Sequence, residues 1–290
     1  MNYTLKNDLL TVEISDLGGE VQSVNSGDCE YLWQGDPTYW TGRAPLLFPI
    51  CGRLFGGQYT YDGKTYEMGS HGFLRRSVLS LVSSSDKELV LQLCANEETR
   101  KQYPFGFSFT VAYTISGNRL TVSVTVENTD NEVLPFAFGG HPGFNVPLDK
   151  KSDFADWYLE FSKPCHPEEL IFSDTCFDTG KTRPYALEND RKLPLRHNLF
   201  DIDGVFFSGT TGQVTLKSDL SDRSVTLFYP DFPYLGIWHK PRTDAPFLCI
   251  EPWCGLPSPD GKIEALEEKT NVFRLAPSEK KNLSFAIEFC

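Results

Sequence analysis

The sequence predicts an all-β protein, a large antiparallel β-sandwich, and three observations carry this prediction. Apolar residues recur at every second position along many short segments, which is the period of a half-buried strand. Helical periodicity is nearly absent, and only residues 263–269 suit two turns of helix. The 23 glycines and 19 prolines are spread along the chain and mark no single linker. Because no linker divides the chain, we expect one domain over residues 1–290.

Four strand pairs are predicted in chain order from this alternation. They are residues 3–5 with 10–14, 105–113 with 120–126, 214–216 with 225–229, and 272–275 with 283–289. The second pair is the clearest, because Leu120, Val122 and Val124 alternate with Thr and Ser after a Ser-Gly-Asn turn. Short strands in succession, without alternating helices, are typical of a sandwich or a barrel.

The charge balance limits the partners of this protein. The chain has 27 basic and 39 acidic side chains, a formal net charge of −12. Nucleic acids and anionic membrane surfaces attract clustered Lys and Arg, so neither is expected as a partner. No apolar run approaches the roughly 20 residues that span a bilayer, and the first residues do not resemble a signal peptide. We therefore expect a cytoplasmic protein with a small-molecule partner.

Eight cysteines lie at positions 29, 51, 94, 165, 176, 249, 254 and 290, without a C-x-x-C pair. In a chain without a secretory signal, reduced thiols are the expected state. Cys249 and Cys254 are five residues apart and could join a histidine around zinc. Because zinc ligands are usually paired more tightly, the favoured interpretation is two thiols beside a loop.

Polar residues of catalytic type concentrate in five short segments among glycines and prolines, where loops present side chains from a rigid scaffold. The segments are residues 45–53, 70–76, 138–145, 198–207 and 247–255. His141 stands between glycines and a proline directly after an apolar stretch, which favours function over packing. Glu251 ends a strongly apolar stretch, so it is either a strand-end charge or a desolvated base with a raised pKa.

The remaining polar residues are ambiguous when taken singly. Arg53 follows an apolar run. It is either a surface charge or a guanidinium whose N–H groups are held in position to donate to ligand oxygens. His71 precedes a glycine and two arginines, and a lone histidine of this kind is more often structural. Asp201 and Asp203 would face the same side of a strand, and a solvated strand end explains them equally well.

Taken together, the order and content of these segments resemble the aldose 1-epimerase (galactose mutarotase) family, most closely its short bacterial branch. The matching motifs are Leu-Phe-Pro-x-x-Gly-Arg ending at Arg53, His-Gly-Phe-x-Arg from His71, His-Pro-x-Phe-Asn from His141, and Glu-Pro-Trp from Glu251. A strand-turn-strand signature over residues 57–66 fits as well. The resemblance covers essentially the whole chain and implies a galactose mutarotase-like supersandwich.

The resemblance also implies a role for each matching residue. Glu251 would be the general base that removes the proton from the C1 hydroxyl of the sugar, and His141 the general acid that protonates the ring oxygen. Arg53 and His71 would hold hydroxyls and the ring region, and Asp203, favoured over Asp201, would anchor the opposite hydroxyls. Such proton transfers need no cofactor and no metal ion, in line with the absence of a phosphate-binding loop or a dinucleotide fingerprint.

The sequence also allows three alternative functions. The His-Gly-Phe-x-Arg motif, with Arg75, also resembles the hexose-6-phosphate epimerase branch, in which arginines gather a phosphate; Arg53, Arg75 and Arg76 suit that task. A sugar-binding protein without turnover would use the same scaffold. A glycoside hydrolase would need two carboxylates roughly 5–10 Å apart, for which Asp203 and Glu251 are candidates.

Aromatic residues near these segments are candidates to stack on the apolar face of a sugar. They are Phe73, Phe144, Trp238 and Trp253. Core packing is the expected fate of any single one.

Overall fold

A computed structural model describes all residues from 1 to 290. It contains 26 strands and one short α-helix, α1 (Glu97–Gln102). The strands are β1 (Asn2–Lys6), β2 (Thr11–Ser15), β3 (Val21–Ser26), β4 (Cys29–Glu30), β5 (Leu46–Leu47), β6 (Gln58–Tyr61), β7 (Lys64–Glu67), β8 (Ser80–Ser84), β9 (Glu88–Cys94), β10 (Phe107–Ser116), β11 (Arg119–Asn128), β12 (Leu134–Phe136), β13 (Gly139–Gly140), β14 (Gly143–Asn145), β15 (Trp157–Phe161), β16 (Glu168–Phe172), β17 (Asp178–Pro184), β18 (Lys192–Pro194), β19 (Val205–Ser208), β20 (Gln213–Ser218), β21 (Ser224–Phe228), β22 (Tyr234–Trp238), β23 (Phe247–Trp253), β24 (Glu264–Ala265), β25 (Phe273–Leu275) and β26 (Lys280–Phe289). Short 3₁₀ turns occupy Phe55–Gly57, Leu74–Arg76, Phe154–Asp156 and His197–Phe200. No helix has the length and apolar character needed to cross a membrane.

Two large antiparallel sheets dominate the architecture. The nine-stranded sheet has the order β18-β15-β20-β21-β26-β11-β10-β9-β8. The eight-stranded sheet has the order β17-β16-β19-β22-β23-β13-β5, and β14 also pairs with β23. Smaller sheets comprise β1 to β4, β12 with β25, and β24-β6-β7. The predicted all-β, antiparallel sandwich is confirmed.

The core lies where the two large sheets face each other. Alternation along β11 buries Leu120 and Val122 on one face, as the period of two requires. Phe48, at the end of β5, packs against Phe107 and Phe109 of β10 with ring centroids 5.2 and 5.0 Å apart. These rings belong to one cluster of 66 buried residues that draws on both large sheets.

Three of the four predicted strand pairs are confirmed, as β1–β2, β10–β11 and β20–β21. The fourth is wrong, because β25 pairs with β12 and β26 lies between β11 and β21. The connection between β25 and β26 bonds to the end of β11: the Ser278 N–H donates to the Asn128 carbonyl, and the Asn128 N–H donates to the Glu279 carbonyl. These bonds direct β26 into the large sheet and prevent a local hairpin.

The helix predicted at residues 263–269 is also wrong. Residues 264 and 265 form β24, which pairs in parallel with β6, and a single turn follows. The Leu266 N–H donates to the Thr60 carbonyl, and the buried Lys269 Nζ lies 2.9 Å from Glu264 Oε2. Strand pairing and this ion pair override the weak helical periodicity.

The eight-stranded sheet positions the polar segments. β23 lies between β22 and the short strands β13 and β14, and all seven of its residues are buried. Glu251 is the fifth residue of β23 and faces Gly236 of β22 across the ladder. His141 stands in the two-residue gap between β13 and β14. A central strand and a tight gap therefore present these two side chains from rigid backbone.

One glycine beside the site has a packing requirement that can be tested. Gly72 has φ +72°, and a Cβ there would lie 2.1 Å from the Phe48 carbonyl oxygen. We expect Gly72→Ala to reduce the free energy of unfolding by about 3 kcal/mol or more, measured by chemical denaturation. Gly63→Ala is the control, since Gly63 has φ +70° with no atom within 4 Å; it should cost about 1 kcal/mol. Equal losses would show that the contact with Phe48 is not the reason for the glycine.

Candidate active site

The five polar segments meet in one cavity of about 230 Å³. All six predicted site residues line it: Arg53, His71, Arg75, His141, Asp203 and Glu251. The structure also separates the two ambiguous pairs. Asp203 and Arg75 line this cavity, whereas Asp201 lines an adjacent depression and Arg76 lies in a groove beside α1.

The centre of the cavity is a contact between an imidazole and a carboxyl group. His141 Nε2 lies 3.2 Å from Glu251 Oε2, and the side chains are 11% and 1% exposed. Glu251 Oε2 and His141 Nδ1 are both buried without a well-aligned hydrogen bond. Buried polar atoms without partners are costly, so their presence together indicates a functional site.

Burial sets the protonation of this pair. Burial, and next the negative charge of Asp203, raise the pKa of Glu251 well above its usual range. Burial is also the main reason that the pKa of His141 falls to about 3. Both shifts favour the uncharged forms, which are the protonated carboxyl of Glu251 and the neutral imidazole of His141. Moving that proton across the 3.2 Å contact would give the carboxylate and the imidazolium.

His71 presents a fixed hydrogen-bond donor to the cavity. Its Nδ1 accepts a hydrogen bond from the Gly52 N–H at 3.1 Å. Burial lowers the pKa of His71 well below its usual value, so the ring is neutral. A neutral ring whose Nδ1 accepts must carry its hydrogen on Nε2. Because His71 itself has φ +63°, the backbone of this turn holds the ring in place.

Asp203 lies across the cavity and is itself held in position. The Trp238 Nε1–H donates to Asp203 Oδ1 at 2.9 Å. The Cys176 thiol lies beside the same carboxylate, and burial together with this carboxylate raises the pKa of Cys176 to about 11. Arg53 reaches toward the same loop, with Nη1 3.5 Å from the Thr175 carbonyl oxygen. Asp203 therefore offers a carboxylate oxygen in a fixed orientation.

Three cationic side chains of the cavity have no acidic partner. Arg53, Arg75 and Lys240 line it, and none of them lies within 4.0 Å of a carboxylate. The Arg75 Nε is buried and has no hydrogen-bond partner. A buried guanidinium N–H without an acceptor favours an oxygen-rich ligand.

The aromatic candidates divide into two pairs. Trp238 and Trp253 line the cavity, whereas Phe73 and Phe144 belong to the hydrophobic core.

Several cavity residues were missed by sequence reasoning: Tyr39, Trp40, Cys176 and Lys240. The Tyr39-Trp40 pair carried a usable signal, because it stands in a loop bounded by Gly35 and Gly42. Cys176 and Lys240 had no motif around them, and only the folding of the chain brings them to the cavity.

One group of side chains has the composition of a metal site. Ligand atoms of His141, Cys249 and Glu251 lie within 4.8 Å of one another. Burial raises the pKa of the Cys249 thiol well above its usual value. Cys254 lies outside this group, and its thiol donates to the Asp231 carbonyl, so the two cysteines do not form the pair that zinc would need.

Comparisons with known proteins agree with this fold. The sequence model of the family Aldose 1-epimerase matches residues 1–259. Protein LacX of Lactococcus lactis subsp. lactis, in its plasmid form, is 33% identical over 297 residues, which cover 99% of each chain. A galactose mutarotase related enzyme from Lactobacillus acidophilus is 35% identical with a TM-score of 0.95, covering 100% of this chain and 97% of its own. A galactose mutarotase-like protein from Lactobacillus casei is 33% identical with a TM-score of 0.94, covering 100% of both chains. The chain therefore belongs to the aldose 1-epimerase family.

Proposed function

We propose that this protein is an aldose 1-epimerase that interconverts the α and β anomers of a hexose by opening and reclosing the sugar ring. The observation that carries the proposal is the 3.2 Å contact between His141 Nε2 and Glu251 Oε2. An acid and a base with one shared proton are what ring opening requires, because one oxygen of C1 must lose a proton while the other gains one. The family assignment gives the reaction class.

In the proposed mechanism the shared proton first resides on the imidazole. The Glu251 carboxylate removes the proton from the C1 hydroxyl while the His141 imidazolium protonates the ring oxygen. The bond between C1 and the ring oxygen breaks and leaves the open-chain aldehyde. After rotation about C1–C2, the aldehyde recloses on its other face with both proton transfers reversed. The pair carries one proton before and after each step, so the mechanism needs no outside acid or base.

The other cavity residues support binding in the proposed complex. The His71 Nε2–H is a neutral donor for a sugar oxygen, and Asp203 is an acceptor for hydroxyls. Trp238 and Trp253 provide apolar surface for the C–H face of the sugar. Arg53 adds charged hydrogen-bond donors for the sugar oxygens.

A second substrate class, a hexose 6-phosphate, is favoured by one observation. Arg53, Arg75 and Lys240 lack acidic partners, and the buried Arg75 Nε lacks any acceptor. A phosphate would supply these acceptors, because its oxygens match a guanidinium fork. The acid–base chemistry at C1 would be the same for both substrates.

Two other functions are less well supported. A protein that only binds sugars has no need for a buried acid–base pair with unpartnered atoms, since such atoms reduce stability. A glycoside hydrolase would use Asp203 and Glu251, yet Asp203 accepts a bond from Trp238 and lies on the side proposed to bind hydroxyls. Release of reducing ends from an oligosaccharide would restore that hypothesis.

We also propose that residues 1–290 act as one domain. The cluster of 66 buried residues includes side chains from both large sheets. The cavity draws its residues from positions 39 to 257.

The assignment of the base can be tested with Glu251→Gln. The carboxamide keeps the shape of the side chain but cannot accept the C1 proton, so kcat should fall about 10²–10⁴-fold while sugar affinity changes little. Anomer exchange followed by NMR measures the rate, and calorimetry measures binding. His141→Asn should show the same separation between kcat and binding. A Glu251→Gln variant that keeps the wild-type rate with every free and 6-phosphorylated aldose would refute the mechanism.

The raised pKa of Glu251 predicts a pH-dependent stability effect of the same variant. Below the unfolded-state pKa of a glutamate, about 4.3, the carboxyl is protonated in both states and its burial costs no ionisation energy. As the pH rises, the unfolded state ionises first and is favoured. We expect Glu251→Gln to be more stable than the wild type at pH 7, with the difference vanishing toward pH 4, as measured by denaturant titration.

Glu264→Gln provides the control for this stability measurement. Glu264 pairs with the buried Lys269 at 2.9 Å, so its neutralisation should instead destabilise the protein by about 3–5 kcal/mol. Loss of stability in Glu251→Gln at pH 7 would mean that Glu251 is ionised and paired with an imidazolium.

The choice between free and phosphorylated substrates can be tested with Arg75→Ala. If the protein acts on a hexose 6-phosphate, this change should raise KM for the phosphorylated sugar about 10- to 100-fold and affect the free sugar much less, since it removes a charged hydrogen bond. Arg76→Ala is the matched control, because Arg76 lies outside the cavity. Equal effects of Arg75→Ala on both sugars would argue for a free aldose.

A further inference from the structure

The imidazole of His141 lies against the face of an indole. The Trp40 and His141 rings have centroids 4.9 Å apart and an interplanar angle of 28°, which is a stacked arrangement. Trp40 also stacks on Phe247 at 5.7 Å and meets the edge of Trp238 at 5.6 Å. The indole is therefore held by further aromatic rings while it covers one face of the proposed acid.

Two glycines near Trp40 leave the space that its indole occupies. A Cβ at Gly42 would lie 2.4 Å from Trp40 Cζ2, and a Cβ at Gly143 would lie 3.1 Å from Trp40 Cζ3. The Trp33 Nε1–H donates to the Trp40 carbonyl at 2.8 Å, and the Gly143 N–H donates to the Arg43 carbonyl at 2.8 Å. The first bond joins the Trp40 loop to Trp33, and the second joins it to β14, which begins two residues after His141.

We propose that Trp40 is a positioning residue that orients the His141 imidazole toward Glu251 and stabilises its protonated form. The inference rests on the proposed epimerase function, because it concerns the proton that His141 donates to the ring oxygen.

The physical basis is the electrostatics of the aromatic face. A cation within about 6 Å of an indole centroid is attracted by the negative face of the ring. Burial and the charge of Arg75 disfavour the imidazolium, and His71 meets His141 edge-on at 5.7 Å as a neutral ring. A backbone contact of the imidazole favours the charged form, and the stacked face of Trp40 favours it as well. An attraction of the usual size corresponds to a rate effect of about 3- to 30-fold.

Two substitutions at Trp40 separate this role from simple filling of space. Trp40→Leu keeps an apolar side chain but removes the aromatic face, so kcat should fall about 3- to 30-fold with KM nearly unchanged. Trp40→Phe keeps a smaller aromatic face and should restore most of the rate. The readout is anomer exchange by NMR, with the sugar that the wild-type protein turns over fastest.

Trp157→Leu is the matched control. Trp157 is a fully buried indole on β15 of the nine-stranded sheet and does not line the cavity. This change should lower thermal stability as much as Trp40→Leu or more, and leave kcat within about twofold. An equal loss of kcat in both leucine variants would overturn the proposal, because the effect would then come from packing. A rise in KM without a fall in kcat would overturn it too, since Trp40 would then act on the sugar.

A double-mutant cycle with His141→Asn tests whether Trp40 acts through the imidazole. If it does, Trp40→Leu should have little further effect on the residual kcat of His141→Asn. Fully additive losses would contradict the proposal while leaving the epimerase function intact. A wild-type rate in His141→Asn alone would instead refute the assignment of the acid.

Discussion

A carboxyl group and an imidazole held 3.2 Å apart inside the protein are the constraint on which the rest of the site depends. Neither group can move far, because Glu251 lies in a fully buried central strand and the His141 N–H donates to the Pro45 carbonyl. The Ile250 N–H donates to the Pro142 carbonyl, which joins the two segments directly. Rigid backbone on both sides thus replaces the hydrogen bonds that the side chains themselves lack. In the proposed mechanism, the stability lost through these unpartnered atoms keeps one proton mobile.

The charges that line the cavity, and not the net charge of the chain, determine the electrostatic potential at the site. The formal net charge is −12, yet the cavity contains Arg53, Arg75 and Lys240 without acidic partners. At cellular salt, charges beyond about 8 Å are largely screened, so these nearby cations govern what the cavity attracts. Asp203 acts at short range too, since its charge helps to keep the Glu251 carboxyl protonated. The overall acidity disfavours polyanionic partners, whereas the cavity itself offers local positive charge.

One set of aromatic residues packs in the core, and another lies at the site. The rings of Phe48, Phe107 and Phe109 join the two sheets, and this gives the eight-stranded sheet a firm base. In a second set, Trp40 stacks on His141, Trp238 meets the edge of the same imidazole, and Phe247 packs behind Trp40, which limits the access of water to His141. Exclusion of water is what shifts the pKa of His141 and Glu251 in opposite directions. The high aromatic content thus supports both the fold and the proposed chemistry.

The sequence by itself determined the fold class, three strand pairs and all six residues predicted to meet at the site. The strands and His141 follow from local signals, namely apolar alternation such as that of β11 and a polar residue among glycines and prolines. Arg53, His71 and Asp203 are ambiguous singly, and the resemblance of the whole set of motifs selected them. Only the tertiary structure decided the pairing of β25 with β12 and the loss of the helix at residues 263–269. It also placed Asp203 and Arg75, which the motifs had favoured, in the cavity and left Asp201 and Arg76 outside it. It also brought Trp40 and Lys240 to the cavity. The reason is that strand pairing and cavity lining are contacts between distant parts of the chain, and local periodicity carries no information about which of these contacts form.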